Sequence, residues 1–433
     1  MKKCLSLFLA VVFVFGGFAA FSQTEDNYAN DILIELVQEA LDNNPRLEAA
    51  VQRVLSAEKT IPQAGALPDP QLTFGLSNLP VNSFSFDQDP MTGKVIGIMQ
   101  MFPFPGKLSL RTDIAEYEAT AVKYQQEEIR NQVIRMVKQT YFDLYTVDRA
   151  FETTEKSKAL MEQFVHVVET KYATGSGLQQ DVLRAQVEIS KLEDDLIMWE
   201  QKRLSVAARL NALLNRPASN PVDKTLPELK LPDNSITIIP AESIEQDRPL
   251  LKAWSERIQK AKTAIKLAER DIWPNFTIGA GYRQRNNLVD GRQMRDLFSA
   301  TFSLNIPLYY KRKQKAKVSE RELAVKAIEA EYENVKNTVL SDVESILADL
   351  ERNRKRVELY KGGILLQAQQ SLESAQAGYR VGKVDFLTLI NNWMMLQNYE
   401  LQYFIALSNF YKNLANYELA IGGNTIQETE LHN

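Results

Sequence analysis

Four short segments in the first half of this 433-residue chain return in the second half. "NNPRL" at 43–47 answers "DRPLL" at 247–251, "DPQLTFG" at 69–75 answers "WPNFTIG" at 273–279, and "MFPFPGK" at 101–107 answers "NIPLYYK" at 305–311. Pro45, Pro70 and Pro103 thus stand 204 residues before Pro249, Pro274 and Pro307. "YATG" at 172–175 and "YRVG" at 379–382 are 207 apart, so three residues enter between. Self-similarity at one offset means that the fold is two copies of one unit. Residues 23–215 read as the first copy and 242–422 as the second, with 423–433 a tail. An irregular connector, 216–241, carries Pro217, Pro221, Pro227, Pro232 and Pro240.

Each copy repeats one plan. A first helix is expected over 31–63 and 242–271, then strand pairs at 71–78 and 95–102, and at 275–284 and 296–306. A long helix follows over 107–173 and 311–378, then a glycine break, then a return helix over 178–215 and 384–421. The long segments carry a coiled-coil-like apolar stripe. Ile129, Val133, Val137, Tyr141 and Leu144 step by three or four residues, as do Val335, Val339, Val343, Ile346 and Leu350. A helix of roughly 65 residues is on the order of 100 Å long. A globular domain of this size is about half that across, so a rod or tube is expected.

The chemistry of catalysis is poorly represented. Two histidines, His166 and His432, and one cysteine, Cys4, leave no ligand set for zinc, haem or an iron–sulfur cluster, and no disulfide framework. Lysine and arginine number 51 against 55 acidic residues, which gives no field for nucleic acid. There is no phosphate-binding GxxxxGK[ST] loop and no Ser–His–Asp constellation. Glu193, Asp194 and Asp195, and Glu127 and Glu128, fall beside Lys and Arg on amphipathic helices and read as solvated faces. No enzyme, no cofactor and no metal site is expected. Residues 1–22 have the pattern of a secretory signal: Lys2 and Lys3, an apolar run from Leu5 to Phe21, and small residues Ala20 and Ser22 before Gln23.

The strand segments alternate. Phe298, Ala300, Phe302, Leu304 and Ile306 oppose Leu297, Ser299, Thr301, Ser303 and Asn305; Phe276, Ile278, Ala280 and Tyr282 oppose Thr277, Gly279, Gly281 and Arg283. In the first copy Leu72, Phe74 and Leu76 oppose Thr73, Gly75 and Ser77, and Ile96, Ile98 and Phe102 share a face that Gln100 interrupts. A half-exposed sheet in a soluble domain alternates in the same way. Here every remaining helix belongs to the long pattern, so none is left to cover the sheet. An apolar face backed by Gly, Ser and Thr suits a strand between lipid and a wet lumen. Four strands cannot close a barrel, and open edges do not survive in lipid. The chain must therefore pool strands with copies of itself. Two copies supply eight strands, whose interior side chains fill; three supply twelve, enough for a lumen.

This organisation resembles the TolC-like outer-membrane efflux protein family across essentially the whole chain after the leader. The duplicated proline-flanked strand pairs carry the resemblance, with "YATGSGLQQDVLRAQVE" at 172–188 and "GYRVGKVDFLTLI" at 378–390. Each unit also ends in a helix closing on "LNALLN" (210–215) or "YELAIG" (417–422). The resemblance implies a mainly α fold with a small β part, four barrel strands per chain, a homotrimer and an α-helical periplasmic tunnel. It implies a passive exit duct in the outer membrane, extending into the periplasm, that docks a periplasmic adaptor and an inner-membrane pump of the resistance-nodulation-division type. "GALPDPQLTFGLSNLP" at 65–80 and "DPMTGKVIGIMQMFPFPGKL" at 89–108 are similar to the heavy-metal efflux branch. Met91, Met99 and Met101 fall there, and thioethers bind soft metals; their plain reading is an external loop and its strand. A duct for protein secretion and a periplasmic coiled-coil scaffold are the rivals.

The resemblance also assigns residues. Gly175, Ser176, Gly177, Gly382 and Lys383 form the turns at the deep end of the tunnel, the surface for the adaptor. Gln180 and Asp181, with Thr388 and Asn391, fall where the family's constriction lies, and Tyr379 where a side chain latches neighbouring helix pairs. Thr388 and Asn391 stand where better-known members carry acids, so Asp181 alone would supply a cation-favouring ring. Asp181 equally reads as a helix N-terminal carboxylate. Phe276, Ile278, Phe298, Phe302 and Leu304 are the expected lipid-facing residues.

Overall fold

The computed structural model describes residues 23–223, 229–232 and 238–423. The expected signal, nearly all of the tail and parts of the connector lie outside them. Nine helices and four strands are described: α1 Gln23–Asn43, α2 Pro45–Gly65, β1 Gln71–Ser77, β2 Gly93–Phe102, α3 Lys107–Ala173 and α4 Gln179–Leu213 in the first copy. The second copy gives α5 Ala241–Asp247, α6 Pro249–Arg270, β3 Phe276–Gln284, β4 Leu297–Leu304, α7 Gln314–Leu359, α8 Leu365–Arg380 and α9 Phe386–Ala420.

Two expected helices are each divided. The 31–63 helix breaks at Asn44 and the 242–271 helix at Arg248, both just ahead of a proline, Pro45 and Pro249. A residue before proline is pushed out of the α region, and proline then opens the next helix without missing its N–H. The 311–378 helix is also interrupted. Tyr360–Ile364 forms one π-helical turn between α7 and α8, built around Gly362 and Gly363. Its counterpart stretch in the first copy lies inside the unbroken 67-residue α3.

The chain divides into two compact units that cut across the copies. Among the described residues, one takes 23–45, 130–223, 229–232, 238 and 343–423; the other takes Arg46–Ile129 and Ile239–Asp342. The first unit is helical, with two apolar clusters. Val133, Val137 and Leu144 of α3 pack with Leu210 of α4 and Leu407 of α9. Met161 and Phe164 of α3 pack with Leu192 of α4, Leu372 of α8 and Trp393 of α9. Val133, Val137, Tyr141 and Leu144 are stripe residues of the sequence, turned inward.

The second unit holds the sheet, an antiparallel meander in the order β1-β2-β3-β4. Its centre joins the copies: β2 pairs with β3, with Phe102 opposite Phe276 and Ile98 opposite Ala280. In the same unit Glu128 is buried at 5% exposure and pairs with Arg248 across 3.4 Å. That corrects the solvated-face reading of Glu128, because its partner lies 120 residues away and sits on the Pro249 break.

Candidate functional site

The sheet has two chemically distinct faces. Registration puts Phe74 opposite Ile96, Ile96 opposite Tyr282, and Tyr282 opposite Phe298, so one row of large side chains crosses all four strands. Leu72, Ile98, Ile278 and Phe302 lie on the same face. This face is bare: Phe74 is 71% exposed, Phe298 75% and Phe302 65%. Of the expected lipid-facing residues Ile278, Phe298, Phe302 and Leu304 are exposed, and Phe276 is half-covered by stacking on Phe102 at 5.4 Å and contact with Phe302. The opposite face carries Thr73, Gly75, Gly97, Gly279, Gly281, Ser299, Thr301 and Ser303. Met99 and Met101 also belong to it, and Met91 lies exposed in the loop before β2. Gln100 interrupts the apolar row beyond the first residue of β1, and its Nε2 donates to the Pro68 carbonyl at 2.7 Å. No described helix is long and apolar enough to cross a membrane.

The helical unit contains the two hairpin turns. At the end of α3, Gly175 takes φ +72° and Ser176 N–H donates to the Lys171 carbonyl at 2.8 Å. At the end of α8, Gly382 takes φ +73° and Lys383 N–H donates to the Gly378 carbonyl at 2.9 Å. Both are Schellman turns, in which a left-handed glycine lets the chain satisfy the last carbonyls. Just past the bend one small residue is needed on either side. A Cβ on Gly177 would lie 3.0 Å from Lys171 Cβ; a Cβ on Gly378 would lie 2.5 Å from Val384 Cγ2. The two copies place their glycine on opposite sides of the same contact.

Around the turns the structure gathers Asp181, Tyr379 and Asp385. Tyr379 is buried, its ring 5.6 Å from Phe386, and its hydroxyl oxygen has no hydrogen-bond partner. Burial raises the Tyr379 pKa above the ordinary phenol value and the Asp181 charge adds to it. Burial likewise raises Asp181; Arg184 pulls it back, and Asp385 pushes it further up. Asp385 caps α9, accepting the Thr388 N–H at 2.8 Å, and these bonds hold its carboxyl below the usual range. Gln180, Thr388 and Asn391 are exposed on α4 and α9, as are Gly175, Ser176, Gly382 and Lys383 at the bends, while Gly177 is half-buried. His166 is exposed on α3.

Sequence reasoning missed three participants. Asp385 had a readable signal, an acid three residues ahead of the first helical N–H it caps. Arg184 had one too, standing three residues after Asp181 on the same helix, although it also acts on Asp385 of the other copy. Lys171 had none, because its partner comes from the other copy: Lys171 Nζ donates to the Tyr379 carbonyl at 2.6 Å.

Comparison with known proteins agrees with this architecture. OprN, a solved outer-membrane channel, is 15% identical, with a TM-score of 0.80 over 92% of each chain. The outer membrane efflux protein BepC of Brucella suis is 24% identical over 406 residues, 90% of this chain and 84% of that protein. Toxin and drug export protein A of Aggregatibacter actinomycetemcomitans is 21% identical over 251 residues; the match spans 58% of this chain and 55% of that relative, about half its length. A family model described as outer membrane efflux protein matches twice, over residues 36–216 and 241–422. The chain therefore belongs to the outer membrane efflux protein family.

Proposed function

We propose that three copies of the chain pool their sheets into one twelve-stranded barrel, apolar face to lipid and small polar face to a water-filled lumen. The observation that carries this reading is the two-faced sheet with uncovered apolar side chains and two free edges, β1 and β4. Backbone groups on those edges need partners in hydrocarbon. A periplasmic scaffold has no use for such a face. Solutes cross passively, so the chain needs no catalytic group; energy comes from an inner-membrane pump of the resistance-nodulation-division type, reached through a periplasmic adaptor.

The tip is the gate. Asp181 supplies the charge of the constriction, Gln180, Thr388 and Asn391 line it, and the Gly175–Gly177 and Gly382–Lys383 turns meet the adaptor. A ring of three carboxylates favours cations. In a protein-secretion system the same duct would serve a different pump, so the partner, not the pore, selects the cargo. The test is planar-bilayer conductance of the detergent-purified protein with native mass alongside. The expected result is a three-copy mass and a small stable conductance that rises on Asp181→Ala. A monomer that never inserts would sink the duct; a conductance indifferent to Asp181→Ala would remove the gate residue.

A further inference from the structure

The four strands join the helices at one end of the sheet. Gln71 opens β1, Phe102 closes β2, Phe276 opens β3 and Leu304 closes β4, and the hairpin loops 78–92 and 285–296 lie at the other end. Four connections therefore leave the sheet on its helix side. Three of them, 66–70, 103–106 and 271–275, hold no lysine or arginine and contribute the acids Asp69 and Asp271. The fourth, 305–313, holds Lys311, Arg312 and Lys313 and no acid. The fold did not require this: 204 residues earlier, Leu108 and Ser109 stand in the places of Arg312 and Lys313.

The cations sit on a tight turn. The Arg312 and Lys313 N–H groups both donate to the Tyr309 carbonyl, at 3.1 and 3.0 Å, and Lys315 N–H donates to the Tyr310 carbonyl at 2.9 Å. Lys317 is spent on Asp271 at 2.7 Å, whereas among the described residues no acid pairs with Lys311, Arg312 or Lys313. All three are exposed. They continue an apolar surface rather than standing apart from one. Phe302 and Leu304 of the bare sheet face lead on to exposed Ile306, to Leu308 at 76% exposure and to Tyr309 at 78%. Trp273, also exposed, stands at the same end of the sheet, just ahead of β3. Apolar side chains, then aromatic rings, then cations is the order of a membrane boundary, where Tyr and Trp lie at headgroup level and Lys and Arg reach past them.

We infer that the turn 309–313 binds the phosphate of an anionic phospholipid headgroup in the leaflet on the helix side, with Arg312 and Lys313 as donors and Tyr309 at headgroup level. The guanidinium offers paired N–H donors to phosphate oxygens, and the ammonium a compact charge on a flexible stem. An acid of a second copy is the rival anion. Among the four connections that acid would be Asp69, because Asp271 is already engaged, and Asp69 brings one carboxylate against three cations. A leaflet of anionic headgroups answers all three. The inference rests on the entry of the sheet into the membrane and adds to it a preferred lipid, bound at one turn in each chain.

The test is native mass spectrometry of the full-length protein released from vesicles of equal phosphatidylethanolamine and phosphatidylglycerol, with conductance read on the same preparation. Each basic side chain near an anionic surface is worth about a fivefold gain in affinity, screened by salt. Wild type should therefore retain phosphatidylglycerol over phosphatidylethanolamine by at least about fivefold at low salt, and by less as salt is raised. Arg312→Gln/Lys313→Gln should abolish the preference and Arg312→Lys should keep it. Arg352→Gln/Lys355→Gln, which removes two exposed cations from α7, should leave it unchanged. Equal retention of the two lipids by a conducting wild type, or equal loss of preference in both double variants, overturns the lipid contact and leaves the duct standing. So does a thermal melt in phosphatidylcholine that Arg312→Gln/Lys313→Gln and Asp69→Asn lower by the same amount, since the cations then serve a second copy. Protein that never enters the vesicles sinks the duct and the lipid contact together.

Discussion

Lys171 holds Tyr379 in two ways: its Nζ donates to the Tyr379 backbone carbonyl at 2.6 Å, and its ammonium lies 4.6 Å from the centre of that ring. The two residues end α3 and α8, so one side chain ties the last turn of the first copy's long helix to the last turn of the second's. It adds a third donor to a carbonyl that already accepts the Val381 and Gly382 N–H groups of the turn. Lys171→Met keeps the stem and removes both attractions. The expected outcome is a loss of about 1 kcal/mol in stability, read by denaturant unfolding, with conductance raised above wild type as the two helix ends separate. Unchanged conductance would make the contact purely structural.

Asp181 and Asp385 should respond to pH in opposite senses. Burial raises the folded-state pKa of Asp181, so the group favours folding when protonated. Its contribution is complete below the unfolded carboxyl value near 4 and is lost as pH rises through the higher folded value. Asp385, held low by its bonds to Thr388, contributes above the unfolded value and loses its contribution as pH falls through the lower folded one. Across thermal melts from pH 3 to 6.5, Asp181→Asn should gain on wild type as pH rises, whereas Asp385→Asn should fall further behind. A gap that is flat with pH for both would contradict the assignment.

The glycines near the hairpins should divide sharply. A methyl on Gly378 would meet Val384 Cγ2 at 2.5 Å, so Gly378→Ala is expected to cost about 1–3 kcal/mol. Adding Val384→Ala should recover part of that. Gly362 and Gly363 of the π turn have open space where a Cβ would go. Alanine there should stabilise the helix by up to about 1 kcal/mol each, measured by chemical denaturation.

The two sheet faces should differ in what they accept. Phe302→Arg puts a charge on the apolar face and should cost about 2–4 kcal/mol of folding into lipid if it lies near the midplane. Ser299→Lys, on the small polar face, should fold into vesicles almost as well as wild type and alter conductance. Equal penalties at both positions would mean that neither face is wet.

Leu407 is fully buried between α3, α4 and the connector side of the helical unit. Its truncation to alanine should cost about 2–5 kcal/mol, read by loss of the native oligomer on heating.

Much of this was legible in the chain. Strand faces depend on a period of two, helix stripes on a period near 3.6, and duplication on self-comparison, all local properties of the order of residues. Pro45 and Pro249 even marked the divided helices, had the rule for the residue before proline been applied to Asn44 and Arg248. The π turn was harder, because Gly362 and Gly363 look like tolerated glycines inside a helical pattern. The tertiary structure alone decided which groups meet: β2 beside β3, Glu128 with Arg248, Lys171 on Tyr379. Those partners lie more than a hundred residues apart, and periodicity carries no information about which copy a face will pack against. That choice is made by the packing of whole helices and strands.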